Sequence, residues 1–72
     1  MSTQAVIDLL TFAQADLRAV RLTLRDGTEV TGTPSTIDTD PGASEVFLHP
    51  AGDDVTEIAI SITEIAKAEL LD

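Results

Sequence analysis

"VRLTLRDGTEVTG", residues 20–32, is the stretch that decides the fold of this chain. Val20, Leu22 and Leu24 alternate with Arg21, Thr23 and Arg25, the period of a half-buried strand. A second run of the same kind follows Asp26-Gly27, and the length of the loop between them fixes which faces meet. A two-residue loop would set Leu24 against Glu29 and Thr23 against Val30, mixing apolar and polar groups on each face. A three-residue loop, Arg25-Asp26-Gly27, removes the conflict. It predicts a type I turn with Gly27 left-handed in a bulge. Leu22 then faces Val30, Thr23 faces Glu29, and Arg21 faces Thr31. Gly32 falls opposite Val20 on the inner face, where a missing side chain permits a sharp bend or close backbone approach.

Upstream of the hairpin the period changes to that of a helix. Val6, Leu9, Leu10, Ala13 and Leu17 recur at three- and four-residue spacing, which predicts a helix over about residues 3–16. Ser2 or Thr3 supplies the hydroxyl that caps its first turn. Ile7 and Phe12 flank the stripe and widen it, which makes them candidate interface residues. Downstream, the second strand runs to about Ile37. "DTDPGAS" then places Pro41 and Gly42 at the middle of a type II turn. "EVFLHP" reads as a third strand with Val46 and Leu48 on one face, Phe47 and His49 on the other. After "PAGDD", a fourth strand over residues 55–62 turns Ile58, Ile60 and Ile62 inward. Residues 63–71 are ambiguous. They alternate weakly as a strand, yet are rich in helix-favouring Ala, Glu, Lys and Leu, and Ser61 and Glu64 have capping-box spacing.

With 72 residues there is room for one small domain, 1–72, made of the helix and a strand region over about 17–71. The expected class is α+β: the helix, then a small, strongly bent five-stranded antiparallel sheet that buries its inner face by curling into a barrel. Its hydrophobic content of 43% and mean hydropathy of +0.17 are those of a folded chain. No apolar run approaches the roughly 18 residues a membrane span needs, and "MSTQAVIDLL" lacks the basic opening of a secretory signal. These features predict a soluble, cytoplasmic protein. The absence of cysteine removes disulfides, thiolate metal sites and thiol redox chemistry.

The charge balance narrows the range of partners. Thirteen acidic residues oppose Arg18, Arg21, Arg25 and Lys67, for a net charge of −9. Such a surface keeps a small protein soluble, which alone accounts for the acidity; it also repels a polyanion and attracts basic proteins, the reverse of a typical nucleic-acid binder.

In outline the chain resembles the Sm-like family. The likeness rests on Leu22-x-Leu24-x-Asp26-Gly27, then Val30-x-Gly32, with Ile37-Asp38 and Val46-x-Leu48 further on. It covers about residues 17–70 and agrees in the order of helix, strand pair, variable loop, strand pair and final short strand. Within that superfamily the "L-T-L-x-D-G" texture is similar to the small Rho-binding antiterminator proteins. The resemblance implies a small barrel with strand edges able to pair into rings. Its RNA site does not carry over. No Asn follows Asp38 in "DTDPGAS", and "SITEIAKAE" has neither the Arg-Gly of one branch nor the Tyr-Lys-His of the bacterial RNA chaperone. The only aromatics on which bases could stack are Phe12 and Phe47.

Catalytic and metal signatures are lacking. Asp38-x-Asp40 with Gly42 and Glu45 departs from a calcium loop at the positions that matter, and one histidine, His49, builds no zinc site alone. His49 near Asp53 or Asp54 reads as chance proximity, and no phosphate loop or nucleophile elbow is present. Arg21 and Arg25 share the outer face of the first strand with Glu29 across the hairpin, and read as a surface charge pair or an anion patch. The sequence therefore predicts a non-enzymatic interaction or regulatory domain without cofactor or metal. Its candidate interface is Ile7, Phe12, Arg21, Arg25 and Phe47, and its expected partner is a basic nucleic-acid-binding protein. The alternative is an oligomeric ring, assembled through strand edges, that binds RNA between subunits.

Overall fold

The computed structural model describes residues 1–71. Asp72, the last residue of the expected domain, lies outside the described residues. Helix α1 (Thr3–Asp16) precedes strands β1 (Val20–Leu24), β2 (Glu29–Asp38), β3 (Glu45–His49) and β4 (Ile58–Ser61). A single 3-10 turn, Ile62–Glu64, then leads into β5 (Ile65–Leu70). The five strands form one antiparallel sheet in the order β4-β3-β2-β1-β5.

The hairpin of β1 and β2 has the register its alternation demands: Leu22 opposite Val30, Thr23 opposite Glu29, Arg21 opposite Thr31, Val20 opposite Gly32. The Leu24 N–H donates to Thr28 O at 2.8 Å and the Gly27 N–H to Leu24 O at 2.9 Å, closing a three-residue loop. Gly27 has φ +91°, the left-handed conformation that glycine adopts without a side-chain penalty. Asp26 Oδ1 accepts from the Thr28 N–H at 2.9 Å and rigidifies the loop. Gly32 is a close approach. A Cβ there would lie 2.6 Å from the backbone oxygen of His49.

Strand β2 serves two leaves. Its first part, through Gly32, pairs with β1; from Thr33 onward it pairs with β3. Pro34 sits just past the end of β1, where its missing N–H has no ladder to serve on that side. The first leaf is therefore β5, β1 and the start of β2. The second is the remainder of β2 with β3 and β4.

Each leaf contains one irregularity that corrects the phase of its apolar residues. In the second leaf the register shifts between Pro34 and Thr36, so that Ile37, not Thr36, pairs with Val46 on the inner face. In the first it shifts between Thr23 and Leu24, so that Ile65 joins Ala68 and Leu70 beneath Leu24, Leu22 and Val20. The extra residues are Ser35 and Ala66. Each leaves a carbonyl that a bulge takes out of the ladder, and in both cases the N-terminal segment satisfies it. Gln14 Nε2 donates to Ser35 O at 2.8 Å, and the terminal ammonium of Met1 donates to Ala66 O at 3.2 Å.

The buried core draws on every element but β2: Val6, Leu10 and Ala13 of α1 meet Val20, Leu22, Val46, Leu48, Ile60, Ile62, Ile65 and Ala68, and Val30 and Ile37 of β2 pack against them partly buried. Ser2 Oγ caps the helix by accepting from the Ala5 N–H at 3.1 Å. The helix ends at Leu17, which was expected to continue the buried stripe. Instead it takes φ +55° as the C-cap and is 82% exposed, because its left-handed turn swings the side chain off the apolar face.

Four other expectations are corrected or resolved. The sheet is bent but not closed into a barrel: β4 and β5 lie at opposite edges, joined by the 3-10 turn, and α1 packs over the apolar side instead. Strand β4 starts at Ile58, not residue 55. Asp53 Oδ1 accepts from the Val55 and Thr56 N–H groups, both at 3.0 Å, holding those residues in a loop and leaving Val55 92% exposed. The turn at Pro41-Gly42 is closed by Ala43 N–H to Asp40 O at 2.9 Å, but Gly42 is not left-handed, so it is not type II. Finally, the ambiguous C-terminal segment is a strand. Pairing with the free side of β1 overrides its helix propensity.

Candidate functional site

The five candidate interface residues are scattered: Ile7 and Phe12 share α1, Arg21 is on β1, Arg25 in the first hairpin loop and Phe47 on β3. Ile7 is half-buried against the core, and Phe12 is 50% exposed on α1. Phe47 is half-buried on the outer face of β3. Arg21 and Arg25 are engaged within the chain. Arg21 Nε bonds Glu69 Oε1 at 3.2 Å across β1 and β5, replacing the expected pairing with Glu29. Arg25 Nε donates to Thr63 O at 2.8 Å and its backbone N–H to Glu64 O at 2.9 Å, tying the first hairpin loop to the 3-10 turn. Asp26, Gly27 and Gly32 are structural devices, as are Pro41 and Gly42 in their turn.

Electrostatics divides the molecule more sharply than any of these residues. The bond to Arg21, and the positive charges of Arg21 and Lys67, hold the Glu69 carboxyl below its ordinary pKa; the same bond raises Arg21. Asp26 is lowered by the N–H of Thr28, and Asp53 by hydrogen bonds from Thr56 and Val55. These loop carboxylates are thus committed to backbone donors. Arg21 and Lys67 stand in the first leaf, with Arg25 in its hairpin loop and Arg18 beside the end of α1. Residues 26–66 contain nine of the thirteen carboxylates and no Lys or Arg. The whole of β3, β4 and their connections, including Glu45, Asp53, Asp54, Glu57 and Glu64, falls in that interval.

His49 is the one titratable base in the second leaf. Its Nδ1 lies 2.9 Å from Thr56 O, and since a carbonyl only accepts, Nδ1 carries the proton. Nε2 is turned toward Glu57 Oε1 at 3.7 Å. Glu57 also accepts from Ser35 Oγ at 2.9 Å. His49, Glu57 and Ser35 together brace the β3–β4 loop against the bulge of β2. His49 is held to Thr56 and Glu57; Asp53 is near enough for His49 to be a minor cause of its lowered pKa, and neither Asp53 nor Asp54 is a hydrogen-bond partner of His49 among the described residues. No group of three or more His, Cys, Asp and Glu capable of holding a metal ion occurs among the described residues. Nor is any helix among them long and apolar enough to cross a membrane.

The two outer strands differ in what covers them. On β5, the Met1 ammonium and Sδ occupy the middle of the edge, Sδ lying 3.3 Å from the Ala68 N–H. On β4 the residues Ala59 and Ser61 are exposed. Sequence reasoning missed both the Arg21–Glu69 pair and the blocked β5 edge, since each joins residues far apart in the chain. Comparison with protein-family models, with curated proteins and with solved structures finds no match to this chain.

Proposed function

We propose that this chain is a non-enzymatic, acidic, Sm-like interaction domain of the cytoplasm that regulates a basic nucleic-acid-binding protein by docking to it. The observation that carries this reading is the segregation of charge: one leaf is negative throughout, while the four cations are gathered beside the other. A low-dielectric sheet with carboxylates of one sign concentrates a field that draws cationic surfaces and repels nucleic acid. The strand order and the hairpin carried by Leu22, Leu24, Asp26 and Gly27 support the Sm-like part of the reading. Immobilised full chain incubated with native lysate at low salt is expected to retain a basic nucleic-acid-binding protein and to release it as salt rises, because screening shortens the field to about 8 Å at physiological ionic strength. Retention of no basic protein at low salt overturns the reading.

A second reading is an oligomeric ring that binds RNA between subunits, favoured by an arrangement that leaves β4 and β5 as separate edges. It requires a hexamer or heptamer by light scattering and an RNA-dependent shift. Met1, seated on β5, weighs against it.

A further inference from the structure

The hydrogen-bonding direction of β4 can be read from its register. Ile60 pairs with Val46 and Ile58 with Leu48, and just beyond the strand the Ile62 N–H donates to Ser44 O at 3.0 Å. In an antiparallel ladder bonded pairs alternate with non-bonded ones. Ile58, Ile60 and Ile62 thus direct their backbone groups toward β3, and Ala59 and Ser61 direct theirs away from the sheet. That edge lies in the leaf that has no Lys or Arg, with Glu57 immediately before it; beyond its other end the Arg25 side chain reaches Thr63 O, so the negative charge open to a partner is concentrated at the Glu57 end. Ile58, on the inner face, is only partly covered.

We propose that the outer edge of β4 receives an extended basic segment of a partner protein, which adds a sixth strand to the second leaf. This inference rests on the basic-partner reading above and assigns that partner a place and a conformation. Backbone pairing to Ala59 and Ser61 supplies the register-independent part of the binding. An apolar residue at alternate positions covers Ile58, and Lys or Arg on the opposite face meets the carboxylate of Glu57. A second copy of the same chain fits this edge poorly, because it would bring two uniformly negative leaves together. The β5 edge offers no equivalent site, since Met1 already stands over Ala66 and Ala68.

Ser61 permits a clean test. Its φ of −65° is already the proline value, and its N–H points away from β3. Ser61→Pro therefore removes an edge donor while leaving the β3–β4 ladder intact. The probe is a nonapeptide alternating Val and Lys, with two controls methylated on one or the other set of alternate backbone amides and a third with Glu in place of Lys. Against the full chain at low salt, the Val–Lys peptide is expected to bind and to slow amide exchange at Ala59 and Ser61 at least tenfold. Ser61→Pro weakens that binding at least tenfold, one of the two methylated peptides fails to bind, and the Glu peptide does not bind. The methylated peptides leave the protein unaltered, so they decide the matter even where the variant folds poorly. Equal binding to Ser61→Pro and by both methylated peptides, or protection on α1 instead of β4, overturns the edge assignment and leaves the basic-partner reading standing. Failure of every basic probe to bind at low salt overturns both.

Discussion

The two leaves of this sheet are built to one plan and finished differently. Each has a hairpin, one bulge that resets the phase of its apolar residues, and one bulge carbonyl held by the N-terminal segment. In the first leaf the loop is three residues long, opposite charges face each other at Arg21 and Glu69, and the outer edge is covered by Met1. In the second the loop between His49 and Ile58 is long and carries Asp53, Asp54 and Glu57, Lys and Arg are missing, and Ala59 and Ser61 of the outer edge are exposed among the described residues. The common parts are what a small sheet needs to hold a core. The differences concern only the surface: paired charges and a covered edge in one leaf, carboxylates without Lys or Arg and an exposed edge in the other.

The bulges give the strongest way to break the comparison. Deleting Ser35 turns Ile37 outward and Thr36 inward beside Val46, and is expected to cost about 3 kcal/mol or more, from lost burial and a buried hydroxyl together. Deleting Ala66 disturbs Ile65 in the same manner. Urea denaturation of both deletions should show similar losses; a loss confined to one leaf would mean that the bulges are not equivalent. Next in size is the crossover itself. Gly32→Ala drives a methyl group against the His49 carbonyl and should cost about 1–3 kcal/mol, whereas Gly42→Ala, with open space around it, should be near neutral.

The helix anchor is a smaller matter. Gln14→Ala removes the donor to Ser35 O and is expected to destabilise by about 1 kcal/mol, with faster amide exchange in β3 than in β1 as the diagnostic. The smallest effect is electrostatic and belongs to the first leaf. Because Glu69 is held below its ordinary pKa, its contribution to stability is present above the unfolded carboxyl value of about 4.3 and is lost as pH falls through the lower folded value. Glu69→Gln should thus be less stable than the parent at neutral pH and indistinguishable from it in strong acid, with the gap narrowing in high salt. A gap independent of pH would mean that the pair with Arg21 is incidental.

Much of this architecture is legible where neighbours in the chain decide it. Ser2, the stripe of Val6, Leu10 and Ala13, and the pairing of Leu22 with Val30 follow from spacing alone, and Gly27 follows from the parity of the loop. The bulges are legible in retrospect. Apolar inner positions run Val30, Gly32, Pro34 and then Ile37, and again Ile65 and then Ala68; each change of parity requires an extra residue. What spacing does not contain is a competition settled at a distance. Residues 65–70 favour helix locally and become a strand because β1 has a free side. Val55 alternates properly with its neighbours but is held out by the carboxylate of Asp53. The candidate interface is the least legible part: Arg21 and Arg25 share a face in the sequence pattern, and both are consumed by contacts 48 and 38 residues away.

The seat of Met1 on β5 also limits how these molecules can polymerise. Head-to-tail growth, in which the bare side of one chain joins the far side of the next, needs two vacant ends per molecule, and here one is stoppered. Pairing through β4 alone would terminate after a single addition, whereas a chain with both outer strands open could go on adding copies without limit.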